Sequence, residues 1–225
     1  MEKKQIKKAP RRPAQTSRPA KPSQGMDLAS LFNMATQALA ANRGALNQAD
    51  AYNQNHGDNM VQIFDMITQA LSSKAGAPPS QQLAHASQYL AVHGTSGSAK
   101  AYSQGLAQAA RQFEGQSVTP NNAMMLVQSL LGGGAPAGQG SQGGGALDAI
   151  MDLTRGEKLD SNDVGALLNA GMAFLGAKQQ GQDNMQAAIS ALVSGGPMGQ
   201  SPHRAQSGEL VANVLMQAIS AMGRK

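Results

Sequence analysis

Leu28, Leu31, Phe32, Ala35, Ala38 and Leu39 recur at intervals of three and four residues, the spacing that gathers apolar side chains on one face of an α-helix. The run predicts a first helix from Asp27 to about Asn42, with Asp27 as N-cap and Gly44 as the stop. Val61, Phe64, Ile67 and Leu71 repeat the spacing and predict a second helix from Asp58 to Lys74, Asp58 serving as its N-cap or as a metal ligand. Pro78-Pro79-Ser80 opens a third, which turns Leu83, Ala86, Tyr89 and Leu90 inward. A fourth covers about Ser98 to Phe113. A fifth follows Thr119-Pro120, where a Thr cap and a first-turn proline both suit a helix start, and carries Ala123, Val127, Leu130 and Leu131 on its apolar side.

Beyond it the pattern breaks. Gly132 to Gly145 reads GGGAPAGQGSQGGG, a flexible linker by composition. Ala146 to Leu153 predicts a short amphipathic helix. Ser161-Asn162-Asp163 starts a longer one whose buried stripe is Val164, Leu167, Leu168, Gly171, Met172 and Leu175. Ser194 to Gly208 reads as a long loop, and the last helix, Glu209 to Met222, packs Leu210, Val214, Leu215, Ala218 and Ile219. Few stretches alternate in the manner of strands, so the expected fold is all-α.

Composition sharpens this picture in three ways. At 225 residues the chain suffices for one good-sized core with a tail. It lacks cysteine, which excludes disulfides, thiol catalysis and thiolate-ligated zinc, and suits a reducing cytoplasm. No stretch approaches the ~18 consecutive apolar residues of a membrane span, and no apolar segment of a secretory signal follows the basic N-terminus. The charge is unevenly placed: residues 1–25 hold eight Lys/Arg, one Glu and four prolines, while the remaining 200 residues are slightly acidic. The tail is expected to be disordered, because it has too little apolar surface to offset its ordering entropy. It serves either as an electrostatic arm for nucleic acid, anionic lipid or an acidic partner, or simply as a solubilising tail. It has no interleaved aromatic for base stacking.

Two polar stretches carry candidate chemistry. Tyr52-Asn53-Gln54-Asn55-His56-Gly57-Asp58-Asn59-Met60 opens directly onto the second helix, and the unpaired first-turn N–H groups of a helix favour an anion. His93-Gly94-Thr95-Ser96-Gly97 opens onto the fourth; glycines let the backbone approach a phosphate and the hydroxyls add donors. His56 and His93 flank these stretches, as loop-structural groups or as catalysts, and no Ser/His/Asp set or metal-spaced histidine cluster offers another centre.

Taken together, the stretches resemble the dihydroxyacetone kinase L-domain family, whose metal–nucleotide loop runs roughly Leu-Asp-x-x-x-Gly-Asp-x-Asp-x-Gly-x-Asn-Met. Its end survives as Gly57, Asp58, Asn59 and Met60, with His56 also fitting. Gly94-Thr95-Ser96-Gly97 is similar to the family's second turn, and Leu147, Asp148, His203, Arg204 and Gly208 could match later loops. The resemblance covers residues 27–222 as an order of helices and loops. It implies an antiparallel barrel of about eight helices over residues 26–225 that binds ADP or ATP with magnesium at one end. It also implies phosphoryl transfer to a small ketone held on a separate domain; nothing in this sequence matches that domain, so a kinase would need a partner protein to present the substrate.

The family's three aspartates fall on Gln48, Asn53 and Asn55. Magnesium prefers oxygen ligands that include carboxylates, and phosphoryl transfer depends on the charge they balance. The expected function is therefore a degenerate, non-catalytic module binding a nucleotide, a phosphate or a protein. Its binding residues are His56, Gly57, Asn59, Met60, Gly94, Thr95, Ser96 and Gly97. The alternatives are an active phosphotransferase subunit whose metal site is rebuilt around Asp50 and Asp58, and a helical adaptor that works through its basic arm.

Overall fold

Asp27 caps the first helix, α1 (Leu28–Ala49), accepting the Ala29 N–H at 3.1 Å and the Ser30 hydroxyl. The stop expected at Gly44 does not occur. That glycine lies on an exposed face, where the loss of helix propensity is only about 1 kcal/mol. The extra turns place Leu46 in the core and Asn47 beside the start of the next helix. The structure is a computed structural model that describes residues 26–132, 184–195 and 197–222, with scattered positions between 164 and 181.

The second helix, α2 (His56–Ser73), begins two residues before its expected start, and Asp58 does not cap it. Asn47 does so from α1. Its Oδ1 accepts the Gly57 N–H at 2.7 Å and the Asp58 N–H at 3.2 Å, and its Nδ2 donates to the Asp58 carboxylate at 2.9 Å. Asp58 sits within the first turn and pairs with Arg43 at 3.5 Å. Helices α3 (Pro79–His93) and α4 (Gly97–Gln112) follow, the second capped by Ser96, whose hydroxyl accepts the Ala99 N–H at 3.1 Å. Thr119-Pro120 makes a turn instead of a helix start: Asn122 Oδ1 takes the Thr119 N–H at 2.7 Å, and α5 (Ala123–Leu131) begins only after it.

Helix α6 (Asn184–Gly195), a 3-10 turn (Pro197–Gln200) and α7 (Pro202–Met222) complete the described elements. The segment expected as a loop from Ser194 to Gly208 is thus largely helical. Pro202 occupies the first position of α7, where its fixed φ suits the helix and its missing N–H costs nothing. Gly199 lies so close to the Ser194 carbonyl that a side chain would collide with it, which permits the tight reversal. Val164, Leu168, Met172 and Leu175, expected as a buried stripe, are all more than half exposed. Their spacing identified a shared face; periodicity alone does not supply an element to cover it. The basic tail, the glycine linker beyond Gly132 and the short helix at 146–153 lie outside the described residues.

Among the described residues the protein is all-helical, a bundle of seven α-helices without a strand. α1 packs mainly on α2, α3 on α4, and α7 against α1, α5 and α6, so the first and last helices meet. Phe32, Phe64 and Tyr102 are fully buried at the centre. The Phe32 and Phe64 rings stack at 5.9 Å, and Tyr102 meets Phe64 edge-on at 5.0 Å. No described helix is long and apolar enough to cross a membrane.

Candidate functional site

The first turns of α2, α4 and α7 converge at one end of the bundle. Together with the α1–α2 connection they enclose a cleft of about 370 Å³. Asp50, Tyr52, Asn53, Asn55, His56 and Asn59 form one wall, Ser96, Gly97 and Ser98 a second, and His203 and Arg204 a third.

Asp50 follows directly on α1 and is only 5% exposed. Burial alone would push its carboxyl pKa up. The Tyr52 N–H at 3.1 Å, the neighbouring charge of His203 and the Asn53 and Asn55 N–H groups outweigh that, and hold it below the ordinary carboxylate value. The carboxylate therefore organises its own loop. Gln54 completes the reversal at φ 54°, a left-handed conformation that strains a residue other than glycine.

His56 is buried at the base of the cleft, with its Nε2 2.9 Å from Ser207 Oγ. Ser207 has one proton, and its hydroxyl donates to the Arg204 carbonyl at 3.0 Å. The Ser207 hydroxyl thus sits between the His56 ring and the Arg204 carbonyl, and the His203 backbone also engages the ring. The ring is neutral near pH 7: burial first, then the charges of His203 and Arg204, drive its pKa down to about 4 against the opposing pull of Asp50. The His203 ring stands edge-on to it at 4.6 Å. Arg204 reaches from α7 across to α4, where its Nη2 lies 2.6 Å from the position a Cβ would take on Gly97. It forms no ion pair among the described residues.

The expected residues divide clearly. His56, Asn59, Ser96 and Gly97 line the cleft, as do Asn53 and Asn55 at two of the family's aspartate positions. Gln48, at the third, is exposed on α1 and does not line it. Gly57, Met60 and Gly94 lie behind the wall: Gly57 against α1, Met60 in the core, Gly94 against Leu90 and Ala99. Thr95 is exposed beside the cleft without lining it. Ser98 and Ser207 joined no sequence expectation as binding groups, and Tyr52 entered only as the first residue of the polar stretch that opens onto α2. His203 and Arg204 were in view only as loop residues, although Ser201-Pro202 before them is a helix-start signature.

No family model matches the chain, and neither does any curated protein or solved structure. Magnesium, which the family resemblance implies, does not fit the groups of the cleft. Among the described residues Asp50 is the one carboxylate lining the cleft, and its loop's N–H groups already engage it. Amides stand at Asn53, Asn55 and Asn59, and among the described residues no group of three His, Cys, Asp or Glu could hold a metal ion. What remains is a concave polar surface with an arginine, open hydroxyls and amides, suited to an anion.

Acid should destabilise the fold through His56. In the unfolded chain this histidine takes up a proton near 6.5, in the folded chain only near 4. Across that window the unfolded state binds more protons, so stability is intact above it and falls as the pH drops. The loss is about 1–2 kcal/mol once solvent at the cleft mouth is allowed for. Urea unfolding at about pH 7 and about pH 4.5 measures it. The His56→Gln variant should lose that part of the pH dependence, and an unchanged dependence would assign the acid sensitivity to other groups.

Proposed function

We propose that the chain is a binding module of the dihydroxyacetone kinase L-domain type, an eight-helix antiparallel barrel that holds a phosphate or nucleotide without transferring it. One observation carries this reading. The stretches that the resemblance singled out, separated by some 150 residues in sequence, contribute to one cleft: Asn53, Asn55, His56 and Asn59, Ser96 with Gly97, and His203 with Arg204. The first turns of α2, α4 and α7, whose positive dipole ends favour negative charge, border it on three sides. Among the described residues the cleft offers no carboxylate free of its own loop's N–H groups to serve as a base, and His56 is buried against Ser207. A cytoplasmic module of this kind would act through a partner protein, either by sequestering a phosphorylated ligand or by reporting its presence.

The alternative of an active phosphotransferase subunit needs Asp50 and Asp58 as metal ligands. Asp50 lines the cleft, whereas Asp58 is engaged by Asn47 and Arg43 and does not. Calorimetric titration of the full chain with ADP, ATP and adenosine tests the proposal. Binding of both nucleotides, stronger than that of adenosine, is expected. Silence in all three titrations would overturn it and move attention to protein partners and to the basic tail.

A further inference from the structure

We infer that this cleft takes a phosphate or diphosphate group without a divalent cation, the Arg204 guanidinium supplying the positive charge that the family draws from its metal. The inference rests on the phosphate-binding reading above and names the chemistry of that same site.

Three features of the cleft carry it. The first is the donor set. A carboxylate only accepts hydrogen bonds, so a carboxylate-lined site repels phosphate until a cation intervenes. Asn53 and Asn55 stand where the resemblance places aspartates, and both line the cleft. An amide is a poor ligand for a hard dication, yet its NH₂ can donate directly to a phosphate oxygen. The two changes therefore remove the metal's ligands and give the phosphate donors in one step.

The second feature is the place of the arginine. Arg204 in the first turn of α7 lies against Gly97 in the first turn of α4, its Nη2 where a Gly97 side chain would have to be. Ser96 takes the Ala99 N–H, while the Gly97 and Ser98 N–H groups before it have no acceptor within the helix, and Gly97, Ser98 and Arg204 line the same cleft. An arginine fork matches phosphate oxygens bidentately, and it keeps its charge at any relevant pH.

The third is that the remaining charge is already settled. Asp50 is held by the backbone N–H groups of Tyr52, Asn53 and Asn55, and the buried His56 is neutral. Among the described residues no carboxylate pairs with Arg204. Among those residues its charge is left for a ligand.

The test is calorimetric titration of the full chain with inorganic pyrophosphate, ADP and adenosine, each in excess EDTA and in excess magnesium. Pyrophosphate and ADP should bind equally well in both media. Arg204→Ala should weaken both by at least about tenfold, the loss of a charged hydrogen-bonded contact, with partial recovery in Arg204→Lys. Gly97→Ala keeps the charge but displaces the guanidinium, so it should weaken binding too, with unfolding curves confirming that each variant is folded. Asn53→Asp with Asn55→Asp should weaken binding in EDTA and make it respond to magnesium. Binding that requires magnesium and ignores Arg204→Ala would overturn the inference while leaving phosphate binding intact. Binding of adenosine equal to that of ADP, with pyrophosphate silent, would overturn it as well, since the phosphate would not be the group recognised. Absence of any binding would sink both readings.

Discussion

Phe64→Ala is expected to lower the unfolding free energy by about 3–5 kcal/mol, the usual result of deleting a fully buried ring and leaving a cavity. Phe64 belongs to α2, is fully buried, stacks on Phe32 of α1 and meets Tyr102 of α4 edge-on. One side chain thus ties three helices together. Only 3% of the residues are aromatic and none is Trp, so the core has few large groups with which to refill the space. Against the ~5–15 kcal/mol total of a small domain, the loss takes a large share of the stability. Urea unfolding should show the midpoint falling with the slope unchanged, whereas Phe64→Leu, closer in volume, should cost much less. A loss below about 1 kcal/mol for the alanine variant would mean that α1 and α4 collapse onto the vacated site.

The contrast between what the residue pattern revealed and what it hid follows from the range over which each interaction acts. Apolar faces were legible wherever a helix was long and bounded by capping residues: Leu28 to Leu39, Val61 to Leu71 and Leu83 to Leu90 were assigned to helices that the structure contains. Boundaries failed where a distant group decided them. Nothing local to Gly44 reports that Leu46 will be buried or that Asn47 will cap α2. Thr119-Pro120 carries a start signal that Asn122 diverts into a turn. The chain around Pro202 contains so much Gly, Ser and Pro that it reads as loop, although a helix begins within it. In the cleft, His56, Asn59, Ser96 and Gly97 could be found because each lies in a short polar stretch that opens onto a helix. Ser207 could not, since its one distinguishing property is a bond to a histidine 151 residues away. The exposed stripe of Val164, Leu168, Met172 and Leu175 makes the same point in reverse. Its helical spacing was correct evidence for a shared face and no evidence about a neighbour.

Gly57→Ala should damage stability and ligand binding together. Gly57 lies in the first turn of α2, where α1 and α2 come into backbone contact: a Cβ there would fall on the Arg43 carbonyl and 2.8 Å from Asn47 Oδ1. The obstacle is a main-chain group in the middle of a packed helix, so it cannot swing aside as a flexible side chain would. α2 must instead retreat from α1, breaking the 2.7 Å bond from the Gly57 N–H to Asn47 and with it the cap of the helix. Overpacking and the lost cap together exceed the gain in helix propensity, leaving a net loss of about 2–3 kcal/mol. The same retreat moves Asn55, His56 and Asn59, which line the cleft, away from Ser207 and Arg204 on α7. Nucleotide affinity should therefore fall in the fraction that stays folded. Gly44→Ala is the informative comparison, since no atom lies within 4 Å of the added methyl on that exposed face of α1. It should stabilise the protein by up to about 1 kcal/mol, through helix propensity and a less flexible unfolded chain. Opposite signs at two helical glycines, read by urea unfolding, would establish close approach of α1 and α2 as the reason for Gly57. A Gly57→Ala protein as stable as its parent would mean that the helices are spaced too widely for Asn47 to hold the floor of the cleft.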